Sequence, residues 1–239
     1  MSILLDGLSL GAVYALIALG YTMVYGIAKM LNFAHGDVIM VGAYAIYSTM
    51  ALNTNPFIAM AVAIVVCTVM GIVIEKFAYK PLRGASPLAV LITAIGVSNL
   101  LQGIAQLIYG STSIAFTVAN FKTVHILGSE ISVGTILTLV VGAIIMIGLT
   151  LFVKKTRTGR AMLAVSEDSG AARLMGVNVD KIIMLTFAIG SALAAFASLF
   201  YIIRIPSVTP TLGAMPGIKA FTAAVIGGIG SIPGAMLGG

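Results

Sequence analysis

Charge is what this chain has least of. Thirteen Lys and Arg and seven Asp and Glu make up 8% of its 239 residues, against 60% hydrophobic residues, whereas soluble globular domains carry about 25% charge. A soluble fold is excluded, and the chain belongs in a membrane. Cysteine occurs once, as Cys67 inside an apolar run, which excludes an internal disulfide and leaves the redox compartment open. There is no Walker lysine motif, no metal-ligand cluster and no nucleophile constellation, so the chain reads as a non-enzyme with any energy source on another chain. No basic stretch precedes the first apolar run, which therefore reads as an uncleaved span and not as a signal peptide.

Long apolar runs and glycine are abundant instead. A helix needs about 20 apolar residues to cross the hydrocarbon, and seven runs qualify: 8–25, 31–52, 57–77, 88–109, 133–153, 182–203 and 218–239. The 27 glycines suit helices that approach closely where lipid gives no hydrophobic drive for association. Seven spans make the loops alternate. Lys29, Lys76, Lys80, Arg83, Lys154, Lys155, Arg157, Arg160, Arg173 and Lys181 then share one side, and Lys122, Arg204 and Lys219 the other. Basic residues collect in the cytoplasm, which places the loop 154–181 inside and the N-terminus outside. The net charge of +6 is thus a matter of topology in a bilayer and not of nucleic-acid binding. The expected fold is all-α: a polytopic transmembrane helical bundle with broken or re-entrant segments and a cytoplasmic coupling helix, residues 1–239 forming a single transmembrane domain.

The loop 154–181 is the longest polar interruption. Its part 166–176 predicts a short docking helix, with Glu167 and Asp168 at the start, where the helix dipole favours anions, and Arg173 near the end. Gly176 closes it. Ala171, Ala172, Leu174 and Met175 cannot all enter the membrane, so some apolar surface is left for a partner. On the other side, 111–130 is rich in Thr, Ser and β-branched residues, alternates through Ala115 to Phe121 and offers Gly128-Ser129 as a turn. It reads either as a hairpin over the membrane surface or as an irregular loop.

Three features suggest a route through the bundle. A second helix starting after Asp37 would be too short to span at ~1.5 Å per residue, so Asn32, His35 and Asp37 lie at or inside the edge of the hydrocarbon. They either face a protein-lined cavity, as intramembrane ionisable groups generally do, or cap a helix among the headgroups. Near the end, Thr222 and Gly227 stand in a second glycine-interrupted segment that includes Pro233. Two such segments in the two halves of a chain point to a central pathway, or to tight packing alone. In the fourth run, Asn99, Gln102 and Gln106 share one helix face by their spacing and either line a route or bond neighbouring helices.

These residues together resemble a known family, the permease subunits of branched-chain amino acid ABC importers of the LivH type. The resemblance covers essentially the whole chain. It rests on 11–16 and 20–26, on Asn32-Phe33-Ala34-His35-Gly36-Asp37 with Gly42-Ala43-Tyr44, on Pro81-Leu82-Arg83-Gly84, and on 158–162, 171–178 and 227–231. It implies that Ala171-Ala172-x-x-x-Gly176, with Glu167, Asp168, Arg173 and Leu174 around it, is the counterpart of the EAA-x-x-x-G motif through which ABC permeases dock on their ATPases. Gly170 stands where that motif has glutamate. It also implies two cytoplasmic ATPase subunits carrying ATP and magnesium, a second permease subunit, a periplasmic solute-binding protein, location in the inner membrane and no cofactor on this chain. Similar proteins continue past the glycine-rich segment, so a chain truncated at its C-terminus is expected. The motifs do not select the solute, which leaves a urea or short-amide importer as the alternative. An ATPase-independent secondary transporter using His35 and Asp37 as an ion site is a third reading.

Overall fold

The computed structural model describes residues 2–119, 121, 123–126 and 129–239. The chain forms α1 (Ser2–Ala28), α2 (His35–Met50), α3 (Pro56–Ile74), α4 (Pro87–Tyr109), α5 (Val133–Lys155), α6 (Arg157–Glu167), α7 (Ser169–Leu174), α8 (Val179–Arg204), α9 (Ala214–Gly227) and α10 (Ile232–Gly238). Four short strands join them: β1 (Ile114–Ala115), β2 (Thr123–Ile126), β3 (Ser129–Ser132) and β4 (Ser207–Val208). Among the described residues five helices, α1, α3, α4, α5 and α8, are long and apolar enough to cross a membrane. The helix α3 is prolonged through a π turn at Glu75–Tyr79 and a 3-10 turn at Lys80–Leu82.

The core sits where α1, α2 and α8 meet, with α3 against α2 and α8. Small residues allow the contact. Gly42 of α2 faces Ser198 and Cys67, and Gly71 of α3 faces Ser191 and Phe187, with no space at either for a side chain. Close approach of this kind replaces the hydrophobic drive that is missing between helices in lipid. By contrast α3, α4 and α5 carry many exposed leucines, isoleucines and valines, as helices facing lipid do.

The two ends of the bundle are distinct. At one end, which holds the expected docking loop, the short helices α6 and α7 follow α5, and Arg83 bonds Asp180 at the start of α8. At the far end, Arg204 at the end of α8 donates to the carbonyl of Asp6 at the start of α1, 3.1 Å. There β1 pairs antiparallel with β4, Ile114 opposite Val208, and β2 pairs with β3, Thr123 opposite Ser132. A hairpin is therefore present at Thr123–Ser132, while among the described residues the alternating stretch from Ala115 to Phe121 forms no strand beyond its first residue; Gly128 of the expected turn lies outside the described residues.

The seventh apolar run is where expectation and structure part. Residues 218–239 do not cross as one helix. The chain turns back at Gly228 and Gly230, both at φ +96°, a region that L side chains rarely adopt. Ser231 then caps α10 with Pro233 in its first turn. Gly227 packs directly on the backbone of Gly234, and Gly238 on that of Ala223. Gly230 comes against Gly26 near the end of α1, while Gly239 reaches Ala15 in its middle. Thus α9 and α10 are a re-entrant pair laid along α1. Lys219 belongs to α9, with its ammonium 6.0 Å from the Tyr14 ring centre, and is not an outer-loop residue.

Candidate functional site

Helix starts leave amide groups unsatisfied, and a side-chain cap is the usual remedy. Seven helices have one: Asn55, Ser86, Ser132, Thr156, Asp168, Asn178 and Ser231 each accept a bond from an amide in the first turn. Among α2 to α10, only α2 and α9 start without. These two starts meet inside the bundle, Gly36 of α2 lying against Gly213 and Gly217 at the start of α9 so closely that a methyl at Gly36 or Gly213 would collide. His35, at the head of α2, lies over Gly20 of α1. Gly20 is eight residues from the end of α1, about 12 Å along its axis at ~1.5 Å per residue. The break in the second run is thus well below the end of the first helix.

Asn32, His35 and Asp37 are buried, at 3%, 1% and 2% exposure, which removes the reading of a cap wetted by headgroups. Each is held differently. Asn32 accepts from the Tyr79 hydroxyl at 2.9 Å. Asp37 accepts from the Ser98 hydroxyl and from the Gln102 amide of α4, the latter at 2.9 Å. Nε2 of His35 has no hydrogen-bond partner among the described residues, nor has the hydroxyl of Thr22, and the His35 ring meets Tyr21 edge-on at 4.9 Å. Tyr21 in turn meets Phe221 of α9. These residues are packed within protein and do not line the described cavities.

The face expected on α4 is divided. Gln102 turns inward with Ser98, whereas Asn99 and Gln106 stand exposed. Thr222 is exposed on α9 and bonds its own helix at Ile218; Gly227 forms the contact with α10.

The docking segment begins later than its sequence suggested. Glu167 ends α6 and does not begin the docking helix; Asp168 is the break, with φ −149°, and its carboxylate accepts from the amides of Gly170 and Ala171 at 2.8 and 2.9 Å. The reason is local: a carboxylate one residue before a helix satisfies its first amides. Gly176 follows at φ +83°, the left-handed turn that ends helices. A second correction concerns Ala172, which is 4% exposed and packs into the chain's own core. The side chains turned outward are Leu174 and Met175, at 91% and 84% exposure, with Ala171 and Arg173 also exposed.

Beneath this segment lies a charged cluster that motif reading passed over. Arg83 pairs with Glu75, buried at the start of the π turn, and with Asp180; Lys80 pairs with Asp180 at 3.3 Å. Tyr79, from the same π turn, reaches Asn32. One short stretch, 75–83, therefore touches both the start of α8, just after the docking helix, and the broken start of α2. The available signal was Glu75, an acid at the end of a strongly apolar run.

The chain matches the family model described as branched-chain amino acid transport system / permease component over residues 3–239. It is 46% identical over 250 residues to the high-affinity branched-chain amino acid transport system permease protein BraD of Pseudomonas aeruginosa, covering 99% of this chain and 81% of that one. It is 44% identical to the LivH permease protein of Escherichia coli, covering 98% and 80%, and 31% identical to a probable LivH of Methanocaldococcus jannaschii, covering 94% and 73%. No solved structure matches.

Proposed function

We infer the working of this protein from one premise: the chain belongs to the family of branched-chain amino acid transport permease components. It is a multi-span inner-membrane protein, the transmembrane permease subunit of a branched-chain amino acid ABC importer. Permeases of this family are non-catalytic and function with ATPase subunits, a second permease and a solute-binding protein. The orientation follows the basic residues, with 154–181 in the cytoplasm and the far end outside. The helix α7 is the contact with one of two ATPase subunits, on which ATP and magnesium act. Closure of those subunits on ATP moves α7, and the bundle changes the side to which it opens.

The observation that carries the coupling assignment is the pair Leu174 and Met175, two large apolar side chains almost fully exposed in a loop too polar to enter the membrane. Capped by Asp168 and closed by Gly176, α7 holds them outward as an anchor for a partner's pocket, the kind of contact that dominates interface energy. The transport route runs past the uncapped starts of α2 and α9, with Asn32, His35, Asp37 and Gln102 around the former, and on along α9 to Gly227 at its end. Backbone amides at a broken helix suit a substrate carboxylate. Asn99 and Thr222, exposed on this chain, belong to the route where a second permease subunit completes it.

The test is Leu174→Asp in the full-length complex. Neither folding nor insertion uses this side chain, so permease abundance is expected to stay unchanged. Association with the ATPase should weaken by about 2 kcal/mol or more, as for a lost anchor. Normal co-purification and normal substrate-stimulated ATP hydrolysis in this variant would overturn the assignment and favour an ATPase-independent transporter.

A further inference from the structure

At the far end, a cavity of about 370 Å³ opens between the start of α1, the first turns of α5 and the end of α8. That is within the size range of small-molecule sites, roughly 300–1,000 Å³. Its walls carry one acid, Asp6, and one base, Arg204, with the hydroxyls of Ser9, Thr135 and Thr138 between them and Phe200 and Ile203 as the apolar floor. Ser9, Thr138 and Phe200 are buried, at 3%, 2% and 2% exposure, so these hydroxyls and the ring belong to the built interior, while Asp6 and Arg204 stand exposed at its rim. Two other described cavities, one lined by Lys29, Arg83, Glu167 and Arg173 and one by Glu75, Lys80 and Asp180, also carry both signs of charge but lie at the opposite end of the bundle; two more differ in kind. The one between α2, α3 and α4 is walled mainly by aliphatic side chains, and so is the one beside α10.

The two charges are set for different tasks. Arg204 places its guanidinium by donating to the backbone carbonyl of Asp6 at 3.1 Å, which leaves the Asp6 carboxylate turned toward the Thr135 hydroxyl, 3.5 Å away. A guanidinium carries five donors in a fixed fork, so one bond to a carbonyl leaves a face that matches a carboxylate. The carboxylate of Asp6 is an acceptor for an ammonium. A cavity holding one charge of each sign and an aromatic floor fits a molecule with the same three parts.

We propose that this cavity is a receiving subsite for a free α-amino acid zwitterion, with the substrate carboxylate on Arg204, its ammonium on Asp6 and its aliphatic side chain against Phe200 and Ile203. The subsite lies at the mouth of the permease, at the end opposite the docking helix, where a solute released from the outside first meets the chain. The proposal rests on the reading of the chain as an amino acid permease, and it adds the residues that recognise the substrate's two charges there. The headgroup of phosphatidylethanolamine has the same pair of charges and is the competing source of this chemistry.

The experiment is equilibrium binding of radiolabelled leucine to the full-length permease–ATPase complex, without binding protein, in nanodiscs of phosphatidylglycerol, with and without a non-hydrolysable ATP analogue. Leucine is expected to bind in at least one of these states. Leucinol, which lacks the carboxylate, and isocaproate, which lacks the ammonium, should compete at least tenfold more weakly. Arg204→Gln and Asp6→Asn should each weaken leucine binding at least tenfold while the complex stays assembled. Several outcomes overturn the subsite. They are no leucine binding, equal competition by leucinol, binding indifferent to both substitutions, or co-purified phosphatidylethanolamine that is lost in Arg204→Gln when leucine does not bind. Loss of binding-protein affinity in Arg204→Gln with leucine binding intact overturns it as well and makes Arg204 a docking residue. Failure of the underlying reading looks different: leucine uptake by the wild-type complex with ATP and binding protein would itself be missing.

Discussion

At the scale of single residues, His35 and Gly20 constrain each other. The His35 ring occupies the space that Gly20 leaves on α1. Gly20→Ala drives a methyl into a ring that is 1% exposed and should destabilise the protein by about 1–3 kcal/mol, the usual cost of overpacking. His35→Ala removes the obstacle at the expense of a cavity, so the double substitution should cost less than the sum of the two, with a coupling of about 0.5–3 kcal/mol. Thermal unfolding of the four proteins in detergent measures it, and additive effects would show that the ring and Gly20 do not constrain each other. Much of this site was legible: a second run too short without Asn32, His35 and Asp37 forces them into the protein. What the sequence withheld were their partners. Tyr79 is 47 residues from Asn32 and Arg83 is 97 from Asp180, and only the packing of α3 against α2 and α8 brings such pairs together. Asn99 and Gln102 show the limit of spacing alone, since one amide is exposed and the other bonds Asp37.

Among the elements, the re-entrant pair α9 and α10 was half legible. Glycines and Pro233 in 218–239 announced an interruption, but apolar length suggested a span, because hydropathy does not distinguish a helix that crosses from two that fold back. The reversal is made by backbone conformation. Gly230→Ala places a side chain at φ +96° and should lower stability by about 1–3 kcal/mol. Gly7→Ala, on the exposed side of α1 with nothing within 4 Å of the added methyl, should instead be neutral or stabilising by up to about 1 kcal/mol. Equal unfolding midpoints for the two variants would mean that the reversal imposes no conformational demand. The short helix α7, proposed for docking, was legible in place and in its Gly176 closure. Its first residue was not, because Ser166, Glu167 and Asp168 are all acceptable at a helix start, and only the end of α6 decides among them.

For the whole molecule, alternation of loops between the two ends was legible from run lengths, and the pairing of β1 with β4 and of Arg204 with Asp6 agrees with it. The side on which each end lies is an expectation from charge. A single cysteine at Ser169, exposed in α7, should react with impermeant reagents only from the cytoplasmic side, and one at Thr123, exposed in β2, only from outside. Cys67 is buried and adds no background. Reversed labelling would invert the proposed topology. The far-end strands also bear on α4. Tyr109 at its far end stacks on Tyr44 at 4.2 Å and bonds Ser48 at 2.6 Å, and the chain runs on into β1, tied to β4. Toward the docking end, the helices and turns packed on α4 among the described residues are α2 and the π turn after α3. A helix of 23 residues is about 35 Å long at ~1.5 Å per residue. Such a rod is a lever with its pivot at Tyr109 and a catch on Asp37: a swing of about 10° would carry Pro87 about 6 Å sideways and Ser98 about 3 Å, enough to break the bond between Ser98 and Asp37.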